Sequence, residues 1–269
     1  MVGNMNIISY FSLTLSRYQQ AMNAVLVYLI PITIIGAITV LERRQNPVPT
    51  DWLRNLQAWA LDIGMVILMM PYLYGWAGTA LLDGAQLPFW AGFVIFLLIR
   101  DGAEFAFHLA QHNVPFLWKM HSLHHSDPEM TALTTNRHFW GDRAIKTLTV
   151  WSLAATVISP TGAMLSAYAA ISFYNYFIHA NLKVNFGRLC WLLNCPAYHR
   201  RHHSRLPEHY NSNYAAMFPI FDVICGTYRK PDGWPPTGLE FAPTRFGELV
   251  AWPFIQPDEA GQVTETAPA

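Results

Sequence analysis

The chain has 269 residues, of which 52% are hydrophobic and only 13% are charged, about half the charged fraction of a typical soluble domain. The 17 basic residues balance the 17 acidic ones, which leaves no basic surplus for nucleic acid, and the hydrophobicity excludes intrinsic disorder. Three cysteines are too few for a disulfide framework, whereas 11 histidines are many for a chain so poor in polar groups.

Apolar runs, taken in chain order, predict an all-α integral membrane protein with about four transmembrane helices. Residues 21–41 carry no charge and are long enough to cross a hydrocarbon core of about 30 Å. Further runs cover about 63–82 and 88–99. A fourth apolar stretch, 147–179, contains the turn signal SPTG at 159–162 and predicts a helical hairpin. The alternative to these spans is a soluble protein with buried core helices.

The positions of the basic residues predict the orientation and the domain organisation. They gather on one side of the spans, so the positive-inside rule places the histidine clusters on the cytoplasmic side of a multi-pass protein. The C-terminus has no retrieval signal, which favours a bacterial inner membrane over the endoplasmic reticulum. We expect an N-terminal region with two spans over 1–92, a domain that carries the third span, the histidine clusters and the hairpin over 93–230, and a partly disordered tail over 231–269.

Eight of the histidines fall into three tight clusters. His108 and His112 are four residues apart, and two H-x-x-H-H triplets follow at 121–125 and 199–203. Positions i, i+3 and i+4 share a helix face, so each cluster is expected to point its imidazoles in one direction. His138 and His179 raise the number of candidate ligands to ten, which exceeds the four ligands of a tetrahedral zinc and suits two metal ions of higher coordination number.

The ligand type narrows the choice of metal. Imidazole suits zinc, copper, iron and nickel, whereas magnesium and calcium prefer oxygen. The Glu-x-x-His pattern of soluble di-iron bundles is missing, so we favour a di-iron centre with imidazole ligands. A metal transporter or a metal-binding protein without oxygenase activity is the alternative, and a bis-histidine haem protein is a further one.

Individual residues also have structural interpretations. His138 and His179 could be capping residues, and His209 lies beyond the last cluster, where a surface histidine is expected. Asp101 and Glu104 lie near the end of the third predicted span. Asp101 could form an ion pair with Arg100 or Lys119 or accept a hydrogen bond from a ligand imidazole.

Five histidine-bearing motifs carry a family resemblance. They are HLAQH at 108–112, HSLHH at 121–125, TTNRH at 134–138, HAN at 179–181 and HRRHH at 199–203. In this order and spacing they resemble the fatty acid hydroxylase/sterol desaturase superfamily of integral membrane di-iron oxygenases. The NY pair at 213–214 and the FDVICGTY segment at 221–228 are similar to the family's closing motif, and Asp101 matches a recurrent family aspartate.

The chain also departs from the family pattern at four positions. Leu109 stands where many members have arginine, and Ala215, Phe221 and Cys225 replace the usual glycine, tryptophan and phenylalanine. None of these differences removes a candidate ligand.

The resemblance implies a four-span helical membrane domain with a cytosolic helical cap over a histidine-ligated di-iron site. It implies hydroxylation or desaturation of a lipid, a sterol, a fatty acyl chain or a related molecule, with O₂ as co-substrate. A cytochrome b5-like protein, a ferredoxin or a reductase would supply the electrons. The expected metal ligands are His108, His112, His121, His124, His125, His138, His179, His199, His202 and His203. The expected hydrogen-bonding residues around them are Asp101, Asn181, Asn213 and Asp222.

Overall fold

The computed structural model describes residues 33–45, 51–75, 80–159 and 161–256. These residues form helices and contain no named β-strand, so the all-α part of the prediction holds for them. The helices are α1 (33–45), α2 (Trp52–Gly75), α3 (Phe89–Asn113), α4 (Pro115–His125), α5 (Trp140–Lys146), α6 (Ser152–Val157), α7 (Gly162–His179), α8 (Pro196–His202), α9 (Ile220–Cys225), α10 (Phe246–Val250) and α11 (Trp252–Ile255). A π-helical turn, Thr147–Trp151, joins α5 to α6.

Helix α3 lies at the centre of the fold and packs along α7 and α4. It ends at Asn113 because the next residue, Val114, precedes a proline and adopts an extended conformation. Pro115 then begins α4 at the first helical position, where the missing N–H costs nothing. This short connection carries the chain directly from the first histidine pair to the first histidine triplet.

Two apolar clusters hold the histidine-bearing helices in place. On one side, Phe96 of α3 packs with Ala154 of α6 and with residues of α7. On the other, Leu249 and Trp252 pack against Met120 and neighbouring residues of α4 and α5. The described part of the predicted tail, 231–256, therefore includes two packed helices, and residues 257–269 lie outside the described residues.

A buried polar network joins the N-terminal helices to the segment that precedes α5. Asn55 of α2 donates to Asp127, 3.0 Å away, and Arg137 donates to the Asn55 side chain over 3.1 Å. In α1, the Oε1 atom of Glu42 accepts the backbone N–H groups of Ala132 and Asn181, at 2.8 and 2.6 Å. These contacts connect α1 with both ends of the segment that holds His138 and His179.

The prediction of a multi-pass membrane protein with about four spans is wrong. Within the described ranges, every helix is either too short or too polar to cross a lipid bilayer. Helix α3 carries Arg100, Asp101 and Glu104, all buried in the protein. The predicted hairpin has helices α6 and α7 on either side of its turn, but α6 has only six residues. Apolar residues of the predicted spans, such as Phe96, pack against other helices in the core of the protein.

Two of the predicted spans lie partly beyond the described residues. Positions 21–32 of the first run and 76–79 of the second fall there. The assignment of the histidines to the cytoplasmic side, in a bacterial inner membrane, depended on the predicted spans and falls with them.

Candidate metal centre

Nine of the ten predicted ligands meet in two buried groups. The five-histidine group and the four-histidine group each bring one nitrogen per residue to within 4.8 Å of the others. The five-histidine group comprises His108, His112, His121, His125 and His202, and the four-histidine group comprises His124, His179, His199 and His203. The structure thus brings together side chains that are up to 95 positions apart in sequence, from His108 to His203.

Each H-x-x-H-H triplet contributes histidines to both groups. The expectation that each cluster points its imidazoles in one direction is therefore wrong. On α4, His121 and His125 belong to the five-histidine group and His124 to the four-histidine group. Adjacent helical positions are about 100° apart around the axis, whereas positions i and i+4 nearly coincide. The spacing therefore places the first and last histidines of a triplet in one group and the middle one in the other. The second triplet, at the end of α8, repeats the pattern with the groups exchanged, because His199 and His203 belong to the four-histidine group and His202 to the five-histidine group.

The imidazole nitrogens approach one another closely. The Nε2 atoms of His108 and His121 are 3.0 Å apart, as are those of His124 and His179, and the Nε2 atoms of His179 and His199 are 2.9 Å apart. Several further ring nitrogens are buried without a hydrogen-bond partner in the described part of the chain. They are Nε2 of His112, His125, His202 and His203, and Nδ1 of His121, His124 and His199. Buried polar atoms normally have partners, so this donor set fits bound cations with nitrogen ligands.

Backbone carbonyls fix the orientation of three of these rings. The Nδ1–H of His108 donates to the carbonyl of Tyr214 over 2.6 Å. His202 donates in the same way to Ser212, at 2.9 Å, and His179 to Asn175, one turn earlier on α7, at 2.7 Å. Such a bond places the proton on Nδ1 and leaves the Nε2 lone pair for a metal.

The electrostatic environment keeps the imidazoles neutral. Burial lowers the pKa of His179 to about 3 and of His202 to about 4, although each ring's bond to a carbonyl opposes the shift. Burial together with neighbouring imidazoles holds the pKa of His112 and of His125 well below the ordinary range. Neutral imidazole is the form that binds metal.

The remaining two histidines lie outside these groups. His138 stacks on His124 with ring centroids 4.4 Å apart, and it forms a third possible metal-binding set with His121 and Asp142. His209 is buried rather than at the surface, and its Nδ1 lies 2.9 Å from the Ser204 hydroxyl. The structure therefore places His138 beside the centre and His209 outside every candidate metal-binding set of the described residues.

The two predicted aspartates act on the loop behind the ligands. Asp222 accepts the N–H groups of Tyr214 and Ala215, at 2.9 and 2.7 Å, and the hydroxyls of Tyr198 and Thr227, at 2.7 and 2.6 Å. Asp101 accepts the N–H groups of residues 217 and 218, at 3.0 and 2.9 Å. Both carboxylates thus order the segment whose carbonyls orient His108 and His202.

The two predicted asparagines are also structural partners. Asn213 has a positive φ of 63°, which asparagine tolerates better than most residues, and its side chain bonds the N–H and C=O of Arg229 over 2.7 and 2.9 Å. The Asn181 side chain accepts a bond from Arg200 at 3.2 Å. Sequence reasoning missed the carbonyls of Tyr214 and Ser212, because the function of a backbone group leaves no signal in residue identity.

A cavity of about 300 Å³ adjoins both histidine groups. Its lining includes His108 and His121 from the five-histidine group and His124, His179 and His199 from the four-histidine group. Four acidic or basic side chains, Asp62, Arg100, Glu104 and Lys146, also line it. Glu104 pairs with Arg100 and Lys146, whereas the sequence offers Asp101 as a possible partner of Arg100 or Lys119.

A family of known proteins resembles this chain in the region that contains the histidine groups. The family model described as fatty acid hydroxylase matches residues 93–227, a range that contains every histidine of both groups. The chain is 31% identical to an alkylglycerol monooxygenase of Xenopus tropicalis, over 58% of this chain and 34% of that protein. It is 31% identical to the human alkylglycerol monooxygenase, over 60% of this chain and 36% of that protein.

A bacterial relative shows the same level of similarity. The chain is 30% identical to an ornithine lipid hydroxylase of Rhizobium tropici, over 54% of this chain and 44% of that protein. It therefore spans less than half the length of these curated relatives. No solved structure matches it.

Proposed function

The chain belongs to the fatty acid hydroxylase family, and from that membership we propose that it hydroxylates a C–H bond of a lipid at a histidine-ligated di-iron centre. The observation that carries this proposal is the pair of buried histidine groups, five side chains in one and four in the other. Because each group is large enough for one metal ion, the donor set supports two ions per chain.

The proposed ligands are the members of the two groups, with His138 as an additional candidate beside His124. Iron, when bound there, supplies the activation of O₂ and the oxidation of the C–H bond. The protein keeps the imidazoles neutral by burying them and fixes three ring orientations through backbone carbonyls. The cavity next to the histidines gives the substrate access to both groups.

The relatives support a lipid substrate and a hydroxylation. Their names assign an alkylglycerol to one set of relatives and an ornithine lipid to another, and both describe the insertion of oxygen. Each hydroxylation with O₂ also needs two electrons from outside. We assign these to a separate donor, which is a cytochrome b5-like protein, a ferredoxin or a reductase.

Isotope labelling tests the reaction. The purified iron-loaded protein, supplied with ferredoxin, ferredoxin reductase and NADPH, is incubated under ¹⁸O₂ with an alkylglycerol or an ornithine lipid. Mass spectrometry of the lipid is expected to show one ¹⁸O atom incorporated per product molecule. His124→Ala removes a ring from the four-histidine group and should abolish this product.

The matched control is His209→Gln, because His209 lies outside both groups. It should retain product formation and iron. A protein that holds zinc or copper and consumes no O₂ would contradict the proposal and would favour the metal-binding alternative.

A further inference from the structure

The lining of the cavity includes a cluster of charged side chains that are not among the proposed metal ligands. Arg100 and Glu104 lie one turn apart on α3, with Nη1 2.7 Å from Oε2. Lys146, the last residue of α5, pairs with the other oxygen, Oε1, of Glu104. Arg100 is only 4% exposed and Glu104 only 8%.

The cluster has more hydrogen-bond donors than acceptors. Both oxygens of Glu104 are engaged by cations, whereas a guanidinium has five N–H groups and an ammonium has three. The Nε of Arg100 is buried and has no hydrogen-bond partner among the described residues. A buried donor without an acceptor is unfavourable, so the ligand that fits here is one that brings an acceptor.

The other side chains around the cavity suit an amphipathic ligand. Trp59 and Ile63 of α2, with Tyr168 and Tyr176 of α7, contribute rings and an aliphatic side chain to the lining. Asp62 also lines the cavity, and its side chain interacts with another group of the protein. At about 300 Å³ the cavity is at the small end of ligand pockets, which suits a head group and its first carbons better than a whole long-chain lipid.

We propose that the lipid enters this cavity head first, and that Arg100 and Lys146 bind an anionic oxygen group, a carboxylate or a phosphate, on its head. This inference rests on the proposed function, because it specifies the substrate class of that site. Histidines of both groups line the same cavity, so the carbons next to the head group lie nearest to the metal ligands. The oxygen is therefore inserted near the head of the lipid rather than at the end of its chain.

Binding of matched amphiphiles tests the head-group preference. The iron-loaded full chain is titrated by calorimetry with octanoate, octyl phosphate, octanol and octyltrimethylammonium, which share one chain and differ in the head. Octanoate or octyl phosphate should bind at least about tenfold more tightly than octanol. Octyltrimethylammonium should bind more weakly than octanol. The stronger anion identifies the head group as a carboxylate or a phosphate, and competition by inorganic phosphate shows whether the anion binds without its chain.

Two variants with opposite expected effects separate ligand binding from a structural role. Lys146→Met removes a donor and should abolish most of the anion preference, whereas Glu104→Gln removes a competing carboxylate and should strengthen anion binding. If the cluster only stabilised the fold, both variants would weaken binding alike. Lys183→Met, at an exposed position, is the control and should leave the preference unchanged.

Iron content is measured for each variant, because an anion can also bind a metal ion directly. Loss of the preference in Lys146→Met with iron retained supports the proposal. Equal affinities for octyl phosphate, octanoate and octanol would overturn it, as would an anion preference that survives in Lys146→Met. Head-group selectivity without hydroxylation would contradict the proposed function alone, and hydroxylation without selectivity would contradict this inference alone.

Discussion

Asp222 illustrates how a single side chain controls the candidate metal centre from outside it. Its carboxylate accepts four hydrogen bonds, two from backbone N–H groups and two from hydroxyls. One of those N–H groups belongs to Tyr214, whose carbonyl orients His108. The position of this imidazole therefore depends on a carboxylate that lies 114 positions later in the sequence.

Asp222→Asn tests this role. The amide replaces one acceptor oxygen by an NH₂ group and so leaves buried donors unpaired. We expect the free energy of unfolding to fall by about 2–3 kcal/mol, measured by urea denaturation. The exposed Glu240→Gln is the control for loss of a carboxylate and should leave the denaturation midpoint unchanged. Equal midpoints for the two variants would refute the role of Asp222.

At the residue scale, the identity of the ligands was easier to predict than their surroundings. Histidine spacing predicts eight of the nine side chains that the structure brings together, and the ninth, His179, comes from its place between the clusters and from the family resemblance. The same sequence did not reveal that Asp101 binds the N–H groups of residues 217 and 218, because partners more than 100 positions apart leave no periodic pattern. The pairing of Glu104 with Lys146 joins α3 to α5, 42 positions later, and it too leaves no periodic pattern in the sequence.

Helix α1 contacts the histidine-bearing segment through Ile38, which packs against Ala132 and Ala180, and through Glu42, which is 4% exposed. Its Oε1 atom alone accepts both buried N–H groups, from Ala132 and Asn181. Glutamine has an equivalent oxygen, whereas leucine has none. Glu42→Leu should therefore destabilise the protein by about 2–5 kcal/mol in urea denaturation, and Glu42→Gln should not. Similar losses for the two variants would show that charge, rather than the acceptor oxygen, is what matters.

Comparison of Glu42→Gln with the wild type also gives a prediction for the pH dependence of stability. Burial raises the pKa of Glu42 above its ordinary value of 4.5, although the two backbone bonds oppose the shift. The protonated form is thus favoured in the folded state, and the stability that it contributes below about pH 4.5 is lost as the pH rises through the folded pKa. Unfolding of Glu42→Gln and the wild type at pH 5 and pH 7 should show that the variant gains relative to the wild type at pH 7. An unchanged difference would contradict the raised pKa.

At the scale of helices, periodicity correctly predicts the histidine-bearing elements. Composition wrongly predicts that the apolar helices lie in a membrane. The i, i+3, i+4 spacing anticipated the helical triplets but not their division between two groups, since that depends on where α3 and α7 lie around α4 and α8. The apolar runs predict membrane spans wrongly, because hydrophobicity alone does not distinguish a lipid-facing side chain from one that faces another helix. The buried Arg100 and Glu104 of α3 were the signal against a span.

For the whole molecule, metal removal is the informative perturbation. The two groups bury nine imidazoles, and many of their nitrogens lack partners in the described part of the chain. A metal that binds only the folded state stabilises it by mass action. Treatment with a chelator should lower the melting temperature by about 10 °C or more in calorimetry, and added iron should restore it. An unchanged melting temperature would show that the histidine groups are stable without metal.

The metal content of the purified protein tests the central claim most directly. Inductively coupled plasma mass spectrometry of the full chain, expressed with iron and purified under nitrogen, gives the identity and number of bound ions. Two histidine groups of five and four side chains predict two iron ions per chain. One ion per chain, or zinc or copper in place of iron, would contradict the di-iron account.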